Sequence, residues 1–194
     1  MSADLPVAGV ILAGGLGRRM GGVDKGLQPL RGRPMVQWVL ERFAPQVDEV
    51  LINANRHTED YGAFGCPVIG DRIAGFAGPL AGLHAAMCAT AQPFVATVPC
   101  DSPFLPADLI ARLKEALLQR QADLATVRAL GRAHPVFCLC RRSVLPRLTA
   151  FLQGGGRKVE AWHATVATAE VDFDDQAEAF SNINTREELA HFEP

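Results

Sequence analysis

Five glycines lie between positions 14 and 22 of this 194-residue chain, in the run Leu12-Ala13-Gly14-Gly15-Leu16-Gly17-Arg18-Arg19-Met20-Gly21-Gly22-Val23-Asp24-Lys25-Gly26. Glycine removes the side chain where a backbone must approach a ligand closely, and Arg19 and Lys25 place positive charge beside it. A triphosphate is the natural guest of such a loop. The bland alternative is a glycine-rich surface loop with solvated cations. The ligand reading is favoured because loops after the first strand, at the carboxyl edge of a sheet, are where α/β folds bind.

Asp101, in Pro99-Cys100-Asp101-Ser102-Pro103, follows the apolar run Phe94 to Val98 and should reach the same edge. A hard oxygen ligand beside a triphosphate is how Mg²⁺ is held, through one or two carboxylates together with phosphate oxygens and water. An Asp there can also cap the helix that follows, a task for which Ser102 and Asp108 compete. Asn53 offers both a donor and an acceptor, and Asp71 could accept from the N–H groups of guanine or simply close a turn. The chain shows no Ser-His-Asp arrangement.

Two commoner phosphate motifs fail on particular residues. A G-x-G-x-x-G dinucleotide loop needs glycine where Met20 stands and prefers an acid where Asn53-Ala54-Asn55 stands. A Walker A loop needs Gly-Lys followed by Ser or Thr, but Val23 follows Gly22 and Gly26 follows Lys25.

The elements that must position these residues alternate between short apolar runs and helical patterns. Strands are expected at Val7 to Leu12, Glu49 to Asn53, Pro67 to Gly70, Phe94 to Val98, Leu124 to Val127, Val136 to Cys140 and Glu170 to Phe173. Helices are expected from Pro34 to Phe43, Leu80 to Ala89 and Ala107 to Gln119. In the last of these, Leu109, Ile110, Leu113, Ala116 and Leu117 form one apolar stripe. Thr185 with Glu188 fits a capping box ahead of a final helix. Gly154-Gly155-Gly156, with Arg157 and Lys158 after it, reads as a mobile basic loop or as a helix C-cap and turn. The pattern predicts an α/β fold of three layers, a mostly parallel sheet with helices on both faces.

Composition sets outer bounds. With 194 residues, 48% of them apolar, the chain can bury one good core, so residues 1–194 are expected to form a single domain. A net charge of −2 supplies no bulk field for nucleic acid or an anionic membrane, so an anionic ligand must be caught by a local cluster. The five cysteines contain no C-x-x-C pair, which points neither to a disulfide framework nor to a zinc site. Cys138 and Cys140 should face one side of a strand, which permits a metal but more often means two small apolar fillers. The apolar stretch Val7 to Ala13 precedes its arginines, the wrong order for a signal peptide, and no run approaches the ~20 residues that span a bilayer. A cytoplasmic location is the expectation.

The motif from Leu12 through Lys25 resembles the signature L-A-G-G-x-x-x-R-M-G-x-x-K of the nucleotidyltransferases. Within them the chain is most similar to the molybdenum cofactor guanylyltransferases. The matching segments are Gly21 to Leu27, Asn53-Ala54-Asn55-Arg56, Gly78-Pro79-Leu80-Ala81-Gly82, Pro99 to Pro103 and Asn182-Ile183-Asn184-Thr185. Gly131-Arg132-Ala133 departs from the pattern where an acid is expected beside His134. The resemblance implies a Rossmann-like nucleotidyltransferase fold and a Mg²⁺-dependent enzyme. That enzyme would transfer GMP from GTP to the terminal phosphate of molybdopterin (molybdenum cofactor) and release pyrophosphate. It implies nucleotide contacts at Leu12, Ala13, Gly14, Gly15, Lys25, Asn53, Asp71 and Asp101, and catalytic roles for Asp101, Lys25 and Arg19. It favours GTP over CTP, since relatives using CTP tend to carry alanine where Gly14 stands. It also implies a division into a nucleotide half, about 1–105, and an acceptor half, about 106–194, with cofactor-delivery proteins as further partners. Asn182 and Asn184, two apart in an extended segment, would turn both amides to one face, suited to a pterin edge. Arg157 and Lys158 are the other acceptor-side candidates. Transfer to a sugar phosphate, a cytidylyltransferase, and a non-catalytic nucleotide-binding accessory protein are the competing readings.

Overall fold

A computed structural model describes residues 5–13, 24–73 and 78–181 of the chain. The first strand, β1 (Val7–Leu12), is apolar throughout and buried at every position but the last, as a central parallel strand covered on both faces must be. The other elements follow in order: a hairpin of β2 (Pro29–Leu30) and β3 (Arg33–Pro34), then α1 (Met35–Phe43), β4 (Glu49–Asn53), α2 (Thr58–Gly62) and β5 (Val68–Ile69). Next come α3 (Pro79–Ala89), β6 (Phe94–Pro99), α4 (Leu109–Gln119), β7 (Leu124–Ala129) and β8 (Arg132–Arg141). The last are α5 (Leu145–Gln153), α6 (Val159–His163) and β9 (Thr168–Asp172).

Seven strands form one sheet in the order β5-β4-β1-β6-β8-β7-β9. Every neighbouring pair is parallel except the two that involve β8. Successive side chains of β1 serve opposite layers. Val7 and Ile11 join Val36, Val39 and Phe43 of α1 and Leu109, Leu113 and Leu117 of α4. Val10 joins Leu80, Leu83 and Met87 of α3, Leu148 and Leu152 of α5, and Trp162 of α6. The chain therefore has the expected three layers. Gly9 is where α1 comes nearest, since a Cβ there would lie 2.5 Å from the Phe43 ring.

Several elements differ from the sequence reading. The β2–β3 hairpin was not foreseen. Its turn residues Arg31 and Gly32 both have positive φ, 51° and 75°, the geometry of a two-residue type I′ turn. The short helices α2 and α6, and α5, were also missed. α4 begins at Leu109 rather than Ala107, because Asp108 keeps a non-helical backbone and its carboxylate accepts from Gln176 instead of capping. β8 starts at Arg132, four residues earlier than predicted. Of the two readings of Gly154 to Gly156, the cap is the one found. The Gly156 N–H donates to Phe151 O at 2.9 Å, and Gly155, at φ 88°, reverses the chain. Cys138 and Cys140 do face one side, buried with their Sγ atoms 3.8 Å apart. The final capping box at Thr185 and Glu188 lies outside the described residues.

Candidate functional site

The path from β1 leads through the hairpin and α1 to β4 on one side of it, and the chain later returns through α3 to β6 on the other. This reversal is a topological switch point, where the carboxyl ends of parallel strands leave a crevice for ligands. In register, Leu12 pairs with Asn53 on one flank and with Pro99 on the other. The edge is extended by Ala13 N–H donating to Asn53 O at 2.8 Å and Cys100 N–H donating to Leu12 O at 3.1 Å. Leu12, Ala13, Asn53 and Asp101 are thus brought to one edge by backbone pairing alone.

On the β6 side, Lys25 Nζ donates to Asp101 Oδ2 at 3.1 Å. The two side chains are 24% and 11% exposed, so the pair is shielded yet open to a ligand. Lys25 reaches this place on a turn. Asp24 Oδ1 accepts from the Gly26 N–H at 3.1 Å, and the Gln28 N–H donates to Lys25 O at 3.1 Å. The thiol of Cys100, beside Asp101, is pushed well above the usual cysteine range by burial and by the carboxylates of Asp101 and Asp24. It stays protonated and offers no nucleophile.

On the β4 side, Asn53 is 3% exposed, and its Nδ2 donates to Asp71 Oδ1 at 3.0 Å and to Ile69 O at 3.3 Å. Asn55 completes a clamp: its Nδ2 donates to Asp71 Oδ2 at 2.9 Å and its Oδ1 accepts the Asp71 N–H at 2.8 Å. Among the described residues Asp71 caps no helix. Its carboxylate is oriented by two amides, and each oxygen keeps a second lone pair for a further donor. Asn55 was not singled out as a site residue in the sequence. The signal was available, since residues two apart at a strand end share a face. Gly82 of α3 makes room for this cluster: a Cβ there would come within 2.5 Å of both Asn53 Oδ1 and Leu12 Cδ2. The two polar groups flank β1, about 10 Å apart by two inter-strand spacings.

A divalent cation can be tested against these residues. Among the described residues no group of three or more His, Cys, Asp or Glu could hold a metal. Asp101 supplies one carboxylate, with Oδ2 engaged by Lys25. That suits an ion which takes one protein carboxylate and completes its shell with phosphate oxygens and water, as Mg²⁺ does.

Arg157 and Lys158 follow α5. α5 starts beyond Arg141, which pairs with Phe94 at the opposite edge of the sheet, and packs on α3 with His84 Nε2 3.0 Å from Thr149 Oγ1. The Arg157 guanidinium turns back onto the end of α5, donating to Leu152 O at 2.8 Å and Gly156 O at 2.7 Å. Lys158 is exposed at the start of α6. His134 packs its ring 5.4 Å from that of Phe180, and burial, then Arg132, holds its pKa below the usual histidine value. Gly14, Gly15, Arg19, Asn182 and Asn184 lie outside the described residues.

A doubly covered parallel sheet with a Lys–Asp pair and an Asn-oriented carboxylate at its switch point defines an α/β protein of the nucleotide-handling class. A family model described as "MobA-like NTP transferase domain" matches residues 9–167, and the chain belongs to this nucleotidyltransferase family. It is 54% identical over 188 residues to proteins of Cupriavidus necator and Cupriavidus taiwanensis, each named molybdenum cofactor guanylyltransferase. Each comparison covers 94% of both chains. Among solved structures, molybdopterin-guanine dinucleotide biosynthesis protein A from Archaeoglobus fulgidus shares the fold with a TM-score of 0.79 at 22% identity, over 96% of each chain. The described residues contain no helix long and apolar enough to cross a membrane.

Proposed function

We propose that this nucleotidyltransferase moves GMP from GTP to the terminal phosphate of molybdopterin, with release of pyrophosphate. The observation that carries the reading is the Lys25–Asp101 pair, 3.1 Å apart at the switch point. The names of the relatives at 54% identity supply the substrates.

The attacking phosphate monoester is mostly ionised at neutral pH, with a second pKa near ~6, so no general base is required. The work left to the protein is to align two anions that repel each other and to stabilise charge on the leaving pyrophosphate. In this reading Lys25 lies along the phosphates, and Gly14, Gly15 and Arg19 line the same cradle. Leu12 and Ala13 border the nucleoside. The Asp71 carboxylate, aimed by Asn53 and Asn55, accepts from the guanine N–H groups. Asp101 would hold Mg²⁺. The chemistry such an ion supplies is neutralisation of charge on phosphoryl oxygens. The acceptor enters from the later part of the chain, about 106–194, where Asn182 and Asn184 meet the pterin and Arg157 and Lys158 meet its phosphate, and residues to about 105 form the nucleotide half. Arg157 holds the end of α5 through Nη1 alone, so its other guanidinium N–H groups remain available for a phosphate beside the exposed Lys158. A cytoplasmic enzyme, in exchange with proteins that deliver the cofactor, fits these substrates.

The test is pyrophosphate release, measured with GTP or CTP, with molybdopterin or a sugar phosphate, and with or without Mg²⁺. Release only with GTP, molybdopterin and Mg²⁺ together supports the proposal, and equal release with CTP or with a sugar phosphate refutes it. Asp101→Asn keeps shape and removes charge, so it should retain the fold by circular dichroism and lose nearly all turnover. Near-normal release from that variant would end the metal-binding role of Asp101.

A further inference from the structure

Tyr61, on α2, is the chain's one tyrosine, and its side chain is fully buried. Its hydroxyl donates to Asp24 Oδ1, the oxygen that also accepts the Gly26 N–H. Asp24 and Gly26 bracket Lys25, so one carboxylate oxygen ties down the backbone on both sides of the lysine. The turn is fixed further by Val36 N–H donating to Gly26 O and Met35 N–H donating to Gln28 O, both at 2.9 Å, which anchor it to the start of α1. Gly26 is the point of closest approach. A Cβ there would lie 2.5 Å from Tyr61 Oη and 3.2 Å from both Cβ and Sγ of Cys100, the residue before Asp101. The tyrosine hydroxyl therefore sits where the strand end carrying Asp101 and the turn carrying Lys25 meet. Burial, with Cys100 and Asp24 nearby, keeps that hydroxyl protonated far above the usual range, so its proton stays available to Asp24.

We infer that Tyr61 is a positioning residue of the transfer reaction: through Asp24 it holds the Asp24-Lys25-Gly26 turn so that Lys25 faces Asp101 before the nucleotide arrives. A free lysine carries several rotatable bonds, and a turn fixed on both sides lowers the entropy lost when its ammonium meets a phosphate. No described polar group other than Asp24 is bonded to the Tyr61 hydroxyl, so the link from α2 to Lys25 runs through that carboxylate.

The inference rests on the reading of Lys25 and Asp101 as transfer machinery, and a double-mutant cycle separates the two. Tyr61→Phe, Asp24→Asn, Lys25→Ala and the double variant Tyr61→Phe/Lys25→Ala are compared with the wild-type chain for kcat, for KM of GTP and for GTP dissociation by calorimetry. Tyr61→Phe keeps the ring and should lower kcat/KM by about ten-fold, the scale of a lost hydrogen bond to a charged group. In the Lys25→Ala background the same substitution should cost less than about two-fold, since its route of action is gone. Asp24→Asn should show the same pattern and stands in if Tyr61→Phe does not fold. The Gly26 amide proton should exchange roughly ten-fold faster, or more, in Tyr61→Phe. An equal fold-loss in both backgrounds would mean that Tyr61 only packs, and the inference would be wrong. Should the wild-type chain release no pyrophosphate with molybdopterin, the proposed reaction falls, and the cycle is read from GTP dissociation constants, which need no acceptor.

Discussion

Adding one methyl group at Gly82 should damage both the fold and the nucleotide site, although alanine is the better helix former. Gly82 sits on the buried face of α3, and its Cβ would come within 2.5 Å of Asn53 Oδ1 and Leu12 Cδ2 and 3.0 Å of Asn53 Cγ. Real Cβ atoms do not tolerate such distances, so α3 must lift or Asn53 must turn. Helix propensity contributes about 1 kcal/mol in favour of alanine. Overpacking a tight core costs about 1–3 kcal/mol. If Asn53 turns, it also loses its bonds to Ile69 O and Asp71, of which the second, to a charged group, is worth about 1.5–3 kcal/mol. The balance is a net loss of up to about 2 kcal/mol if α3 lifts and of about 1.5–5 kcal/mol if Asn53 turns, the latter roughly 4–15 °C in thermal midpoint for a chain of this size. Because Asn53 orients Asp71, GTP affinity should fall by about ten-fold or more while affinity for molybdopterin is largely kept. Differential scanning calorimetry and GTP titration of Gly82→Ala measure both effects. An unchanged midpoint together with unchanged GTP affinity would show that the Asn53–Asp71 contact does not constrain α3 in solution.

The same substitution at Gly62 should do the opposite: a Cβ there would meet nothing within 4 Å, and the residue does not have positive φ. Gly62→Ala is expected to stabilise by about 0.4–1 kcal/mol through the unfolded state, seen as a higher denaturant midpoint at constant slope. His84 and His134 should make stability fall in mild acid. Burial, then Arg72 for His84 and Arg132 for His134, holds each below the usual 6.5 in the folded state. The unfolded chain therefore binds the extra protons, and stability present above about pH 6.5 is lost as pH falls towards the folded values. Thermal midpoints at about pH 7.5 and about pH 5.5 measure the slope, and His84→Gln should flatten it.

Where the sequence reading succeeded, the reason is that local pattern and tertiary role coincide. β1 and β4 match the predicted bounds because each is built on an apolar run, all of β1 and Val50 to Ile52 in β4, and the carboxyl end is marked by the change to glycine or asparagine. Since Leu12, Asn53 and Pro99 stand in register, strand ends read from sequence also identify a common edge, which is why Asn53 and Asp101 could be placed together there. Short elements were lost for the converse reason. α2 spans five residues and α6 five, each too short to show a helical period, and the β2–β3 hairpin is set by two positive-φ residues, one of them an arginine that no turn rule favours.

The pairings inside the site are a different kind of information. Lys25 and Asp101 are 76 positions apart, Asn53 and Asp71 are 18 apart, and Tyr61 and Asp24 are 37 apart. No periodicity relates such residues, because their contact depends on which strands are neighbours and on how far each loop carries its side chain beyond the strand end. Residue types nevertheless narrow the choice. A buried tyrosine needs a partner for its hydroxyl, and a carboxylate at a parallel-sheet edge needs either donors or a cation. In this chain those two demands meet on one turn. Asp24 satisfies the tyrosine and the Gly26 amide, which leaves Lys25 facing Asp101. Asp101 beside a lysine whose turn is held by Asp24, Tyr61 and the start of α1 is the arrangement on which the proposed binding of a cation and a polyphosphate rests.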